Sequence, residues 1–556
     1  MLMKSKDKRG NIYESPPNSV GNPHTAPVNM RGDLTDAAGG RLLMFFEKMG
    51  KVVVIFLAGI VLCFLSATGF VEKAFIGQSL SEHCIFLKHG FLFVPGILLC
   101  VLLFLFARNI IYRINSRTLF LALSSLYLVA GMYLIFNADP VIRSDANSVY
   151  QGAMTFNQGE FWPFERGRYF AFHPHQLGLA TYERVFMLFS PNVKFFFTLN
   201  LLMVLIINCM QWKISEILSG NNAQAVNYTI IISFAFLPQL FFVLFLYGLI
   251  PGFCCSIAAV YFMIRYFQER RLKDCIFSMV LIAVGCTLRN NYMIAAIAML
   301  LLYLLDFFRS GRKRSLLIAL VTVVCAVMLP KGVNTWYRYE SGIDFGAGTP
   351  KLLYITMGLQ DSPRMGGWYN GYVYYVFNGF GMDYELAQEK GLEDLQERVN
   401  YFRENPGEAA LFFENKAKST WLDPLFQSIW SGPLEDADQH MQTQLLSDLY
   451  NGEGVYWLLS KAMNILLVII YLMSLFYLIF AALTKKAGLT CEKLFPYIFF
   501  WGGFFFHLMW ETKSQYVYPY VFMLIPMSAL GIDLIGAWLI RYLKGIKKCM
   551  ICEITQ

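Results

Sequence analysis

The sequence predicts an all-α polytopic membrane protein of about twelve transmembrane helices, with amphipathic helices and one large loop domain outside the membrane. Three observations predict it. Hydrophobic residues make up 56% of the 556 and charged residues only 15%, far below the roughly 25% of a soluble domain. The apolar residues collect in runs at 52–70, 91–107, 118–137, 194–212, 226–247, 252–267, 275–289, 292–308, 315–330, 456–482, 493–510 and 517–540, several of them short for the ~20 residues that a spanning helix needs. Lys and Arg gather in short clusters beside alternate runs, the distribution that orients helices in a bilayer. The net charge of +8 therefore serves topology and gives no support to a nucleic-acid partner.

Taken in order, residues 1–48 carry Lys4, Lys6, Lys8 and Arg9, several prolines and few large apolar side chains, and read as a disordered basic tail in the cytosol. Residues 49–117 supply two transmembrane helices. A core follows at 118–330, interrupted by a polar loop at 138–193. Residues 331–455 are too long for a structureless connection and read as a folded loop domain; 456–556 hold the last transmembrane helices and a short cytosolic tail. With the N-terminal tail in the cytosol, parity places 138–193, the turns at 247–251 and 289–292, the 331–455 domain and 510–516 outside. The connections on the other side hold Arg108/Arg113/Arg117, Arg270/Arg271/Lys273 and Arg309/Arg312/Lys313/Arg314 among others, and each of them is basic. The expected location is the cell membrane, with both termini cytosolic and the polar loops extracellular.

Within the loop domain, 385–418 reads as two amphipathic helices interrupted at Asn405-Pro406-Gly407, since proline starts a helix well and disrupts its interior. Gly358-Leu-Gln-Asp-Ser-Pro363 and Gly366-Gly-Trp-Tyr-Asn-Gly-Tyr372 are rich in glycine and aromatics. Trp368, Tyr369 and Asn370 would suit a loop closing over a polar ligand; an ordinary turn cluster is the alternative. The 12 cysteines lie mostly in apolar segments, where a thiol behaves as a small hydrophobe. Cys549-Met-Ile-Cys552 has metal or redox spacing, but a single pair in a short tail reads as incidental.

Chemistry concentrates in the 138–193 loop, which brings Asp139, Arg143, Asp145, Glu160, Glu165, Arg166, Arg168, His173 and His175 into one stretch between two greasy helices. Asp145 could accept a proton from an incoming hydroxyl while a cation elsewhere steadies a leaving phosphate. It could equally cap a helix beginning at Ala146. His507 and Glu511 stand at i and i+4, on one face at the outer end of the penultimate helix. They would meet a substrate or satisfy each other; without a third ligand they make no zinc site. No phosphate-binding loop or dinucleotide fingerprint occurs in the chain.

Ser144-Asp-Ala-Asn-Ser-Val-Tyr150, Gly152-Ala153, Gln158-Gly159 and His173-Pro-His-Gln176 together resemble the first external loop of the GT-C glycosyltransferases, which include the protein O-mannosyltransferases and the lipid A aminoarabinose transferases. Trp510-Glu-Thr-Lys-Ser-Gln-Tyr-Val-Tyr-Pro519 is similar to the Glu-x-x-x-Arg-Tyr-x-x-Pro element of bacterial members, with Gln515 where an Arg is common. The likeness runs from about 118 to 540 and leaves the first two helices as an addition. It implies a GT-C-like fold and an inverting transfer of a sugar from a polyprenyl-phosphate donor to a glycan, lipid or protein acceptor of the cell envelope. It also implies that Asp145 is the catalytic carboxylate and that His173-Pro174 closes the loop. Arg143, Tyr150, Arg168, His175, Gln176, His507, Glu511 and Tyr516 would contact substrate. The leaving phosphate needs a fixed cation: Arg289, at the end of its helix with no acidic neighbour in sequence, is the first candidate, with Lys331, Lys351 and Arg364 as weaker ones, and an anchoring role is the alternative reading of Arg289. Family members often carry a second acid after the catalytic Asp, whereas Asp145 precedes Ala146, so a divalent metal gains little support and no metal ligands are assigned. Rival functions are a lipid-linked polysaccharide polymerase or ligase, and a flippase or transporter. Helices almost free of central charge, Asp533 excepted, and the lack of a clear repeat speak against the transporter.

Overall fold

The computed structural model describes residues 37–77, 82–433, 441–484 and 489–554. Most of the expected basic tail lies outside the described residues, as do the side chains of Cys549 and Cys552. The first helix, Ala37–Val71, starts well before the apolar run at Val52, so residues 37–48 are helical and do not belong to a disordered tail.

Each of the twelve apolar runs forms helix. Eight helices are long and apolar enough to cross a membrane: Gly40–Val71, Ser116–Asn137, Val193–Leu218, Leu249–Glu269, Asn290–Ser310, Lys313–Ser341, Gly454–Leu483 and Tyr518–Tyr542. The chain is thus a helical, multi-pass membrane protein. A further pair, Ala223–Ala235 and Pro238–Leu244, bends by 47° at its break, where Pro238 supplies no amide hydrogen to continue the ladder. Phe93–Phe106 has 14 residues, about 21 Å of helix against the ~30 Å of a hydrocarbon core. Leu272–Leu288, with 17 residues, is also short. The boundary expected at 330 falls inside a helix, because Lys313–Ser341 continues through Pro330 and carries Lys331 with it.

The two ends of the bundle are held by different chemistry. At one end, Arg270 and Arg108 of the basic connections are tied to buried carboxylates. Arg270 donates to both oxygens of Asp306 at 2.7 and 2.6 Å, and Ser315 adds a third bond at 2.7 Å. Arg108 pairs with Asp533 at 2.8 Å, and the Asn222 amide donates to the same carboxylate at 2.8 Å. The charge within the last helix is therefore a clamp.

At the other end the loops fold onto one another. Tyr384–Glu404 and Pro406–Trp421 form the two expected helices, the first capped by Asp383, which accepts from Leu386 N at 3.0 Å. The all-α expectation has one exception among the described residues, an antiparallel hairpin of Glu72–Ile76 and Cys84–Lys88 between the first two helices. It is stitched to the loop domain by Ala74 N donating to Leu422 O at 3.1 Å and Cys84 N to Arg364 O at 3.2 Å. That anchorage brings a segment from the start of the chain to the polar loops.

Candidate functional site

The polar loop folds first as the helix Ser144–Asn157. Because the helix begins at Ser144, Asp145 lies in its first turn and Arg143 occupies the cap position without a side-chain cap bond, so the capping role considered for Asp145 is not the one it has. A carboxylate there is favoured by the helix dipole. Ser144 has φ +51°, a strained value for a residue other than glycine. Its neighbour Arg143 fixes the turn by donating to Gly432 O at 3.1 Å and to Trp430 O, with its guanidinium 4.9 Å from the Trp430 ring. Asp145 keeps solvent-reachable surface while protein crowds around it. This partial desolvation is the main reason its carboxyl lies above the usual range; Glu82 adds to the shift, and Lys513 and the Tyr247 hydroxyl oppose it.

Tyr247 joins the loop to a second group. Its hydroxyl accepts from Gln176 Nε2 at 2.9 Å and lies 3.0 Å from the Tyr169 hydroxyl, while its backbone carbonyl accepts from Arg289 at 2.6 Å. The Arg289 guanidinium lies 5.2 Å from the Tyr247 ring and 5.4 Å from the Tyr516 ring. Arg289 follows the last residue of Leu272–Leu288 in extended conformation, and no carboxylate pairs with it among the described residues. A half-buried cation between two aromatic faces, with donors to spare, is suited to an anion. His173 completes this side: its Nδ1 lies 3.3 Å from the Tyr354 hydroxyl, its ring 4.8 Å from that of Tyr169 and 5.6 Å from that of His175, and burial pushes it down to about 4, so it is neutral at physiological pH.

The C-terminal element closes the site differently from the expectation. The helix Cys491–Met509 ends before Glu511, and Trp510 is extended, so His507 and Glu511 do not share a helical face. Instead the backbone turns to let Glu511 N donate to Tyr354 O at 3.2 Å and Thr512 N to Gly367 O at 3.1 Å. Gly358 permits this approach; a Cβ there would come within 2.5 Å of the Trp510 carbonyl carbon. Glu511 is buried, and desolvation lifts its carboxyl to about 7, with Lys513 and Lys416 opposing and Glu82 and Asp145 adding. Tyr354 stacks on Trp510 at 5.7 Å, and His507 on Tyr516 at 5.9 Å.

Two cations that sequence reasoning did not single out, Lys416 and Lys513, stand beside Glu511. Lys416, fully buried, donates to the carbonyls of Leu508 and Trp510 at 2.9 Å each and to that of Gly358. Lys513 pairs at 2.8 Å with Glu82, a third unforeseen group, whose carboxylate also pairs with Arg364. Glu82 and Tyr247 sit in connections that charge parity puts on the same side as the polar loop; that was the available signal. The Pro406–Trp421 helix gave no sign that Lys416 turns inward.

Several expected contact residues are engaged in holding the loops. Tyr150 is buried and donates to Pro191 O. Trp368 is fully buried and donates to Ser419 Oγ at 3.1 Å, and Asn370 pins its own turn through Gln360, Asp361 and Tyr372. Arg143 is committed to the 430–432 carbonyls as above. Arg168 is exposed and lies over the Trp162 ring at 5.2 Å. Lys331 is exposed on its helix, and no hydrogen bond or ion pair among the described residues joins it to the cluster. Tyr369, 37% exposed and under the Arg364 guanidinium at 5.4 Å, remains at the site with Asp145. Cavities of about 490 Å³ over Arg398 and 300 Å³ between Phe164 and Met382 lie elsewhere. Among the described residues no group of three or more His, Cys, Asp or Glu is placed to hold a metal. The sequence matches no protein-family model and no curated protein.

Proposed function

We propose that the chain is an integral-membrane glycosyltransferase that moves a sugar from a polyprenyl-phosphate donor to a cell-envelope glycan, lipid or protein at the outer face of the cell membrane, on a GT-C-like core of about twelve spans. The observation that carries this reading is the pairing of opposites around Tyr247: a reachable carboxylate with raised proton affinity near its hydroxyl, and an arginine at its carbonyl with no carboxylate partner among the described residues. In the proposed reaction the acceptor hydroxyl attacks the anomeric carbon from the side opposite the phosphate. Asp145 takes the hydroxyl proton, the carbon–oxygen bond to the phosphate breaks, and the phosphate leaves with the electron pair onto Arg289. An upward shift suits Asp145 to this task, since a stronger base takes the proton more readily provided it is ionised at the working pH. The neutral imidazole of His173 and the hydroxyls of Tyr169, Tyr354 and Tyr369 are suited to sugar hydroxyls.

The resemblance of 144–176 and 510–519 to GT-C enzymes supports the same assignment, and the lipid tail of the donor would reach the site from the bilayer. Purified protein in proteoliposomes given a polyprenyl-phosphate sugar should cleave the sugar–phosphate bond once per transfer. Intact lipid-linked sugar crossing the bilayer without cleavage would identify a flippase, and chain growth on a lipid-linked glycan a polymerase.

A further inference from the structure

We propose that Glu82, carried by the hairpin between the first two helices, is a positioning residue that detains Lys513 and Arg364 and so governs when Asp145 can act as a base; this rests on the catalytic role of Asp145 proposed above. Glu82 is 1% exposed and both of its oxygens are occupied. Oε1 accepts from Lys513 Nζ at 2.8 Å and from Gln427 Nε2 at 3.2 Å, and Oε2 accepts from the Arg364 guanidinium. A carboxylate this deeply buried is tolerable only with such partners. Its partners, however, come from segments far along the chain that also border the site: Arg364 covers Tyr369, and Lys513 follows Glu511 by two residues.

The charged and hydroxyl groups whose fields reach Asp145 are those of Lys513, Glu82, Glu511, Tyr247, Tyr169, Tyr354 and Tyr369. Lys513 is the strongest favourable influence on the Asp145 anion and also on that of Glu511. One ammonium thus favours the anions of Asp145 and Glu511 through space while its ion pair is with Glu82. Were Glu82 uncharged, Lys513 would be free to pair with Asp145, which would lower its proton affinity and occupy the oxygen an acceptor hydroxyl needs. Loss of the like charge of Glu82 acts in the same direction. The hairpin cannot easily drift away, because Lys73 donates to Ser460 Oγ at 2.6 Å and Glu72 pairs with Lys418 at 2.8 Å in addition to the backbone bonds. The hairpin between the first two helices thereby becomes part of the site.

The test reads the protonation of Asp145 without any sugar. In full-length protein reconstituted in lipid, the carboxyl stretch of Asp145 is assigned by infrared difference spectroscopy as the band absent from Asp145→Asn, and its midpoint is followed with pH. Glu82→Gln should move the midpoint down by at least about half a pH unit, the scale of one charge several ångströms away in a partly hydrated site. Glu82→Asp, which keeps the charge, should leave it near the wild-type value, and Lys513→Gln should move it up. An unmoved midpoint in Glu82→Gln overturns the proposal, as does Glu82→Asp moving it down as far as Gln. If Glu82→Gln does not fold, Lys513→Gln and Glu82→Asp decide: failure of either expectation overturns it. Donor cleavage that depends on Asp145 with no midpoint shift would reject the role of Glu82 alone. The expected shifts in a protein that never cleaves donor would reject the glycosyltransferase reading alone.

Discussion

Lys416→Met tests whether the loop domain is bolted to the membrane bundle through one buried ammonium. The side chain is fully buried, donates to three carbonyls, and is pushed down to about 7 by desolvation, with Glu511 opposing. Two terms of similar size meet in the substitution. Leaving three buried carbonyls without a donor costs about 1–3 kcal/mol each, while removing a cation whose proton affinity falls by ~3.5 pH units relieves about 5 kcal/mol at neutral pH. The sign of the net change at pH 7 is therefore a poor test; the pH slope is a good one. A lysine with a lowered value in the folded state binds fewer protons there than when unfolded, so its penalty is complete below pH 7 and is relieved as pH rises from 7 toward 10.5. Glu511 has the opposite sense: its raised value makes stability fall as pH rises from 4.5 to about 7, and its contribution is spent above that. The windows do not overlap. Thermal unfolding in detergent between pH 7 and 10 should therefore show wild type gaining more melting temperature than Lys416→Met, by on the order of a few degrees. Lys73, lowered to about 8 by desolvation, contributes to both proteins and cancels in the difference. Parallel curves for the two proteins would refute the buried-ammonium account.

Two further outcomes follow from the same geometry. Arg289→Ala should lower donor turnover about ten- to a hundredfold, the worth of a charge-assisted hydrogen bond of ~1.5–3 kcal/mol; Arg289→Lys should recover part of it, and near-normal turnover in Arg289→Ala would return the residue to an anchoring role. For topology, single cysteines at Glu404 and Ser362 in a cysteine-free variant should react with an impermeant thiol reagent on whole cells, while one at Lys313 should not, and the reverse pattern would overturn the charge-parity orientation.

Hydropathy made the helices legible because burial in lipid demands continuous apolar runs, and Pro406 marked the break between the two loop helices because proline starts a helix. Asp145 and Arg289 were legible as charges where a membrane protein has few. The rest was hidden by distance in sequence. Glu82 meets Arg364 and Lys513, and Tyr247 meets Gln176 and Arg289, through contacts that no local period encodes. Lys416 sits on an amphipathic helix whose other charges are solvated, and only the carbonyls of Leu508 and Trp510 draw it inward. The expected face shared by His507 and Glu511 failed because tertiary bonds from Glu511 N and Thr512 N ended the helix early. Tyr150, Trp368 and Asn370 were chosen as polar or aromatic groups in a loop, yet each satisfies a loop contact instead.

Donor turnover by Asp145→Asn is the measurement that bears most directly on the proposed function. Sugar release from a purified polyprenyl-phosphate donor in proteoliposomes is compared for wild type, Asp145→Asn and Asp139→Asn, with melting temperature recorded for each. Asn preserves the volume of Asp145 but cannot take a proton, so turnover should fall by the ~10²–10⁴-fold that a positioned base contributes, with donor binding and melting temperature retained and Asp139→Asn milder. Near-wild-type turnover in Asp145→Asn would contradict the account.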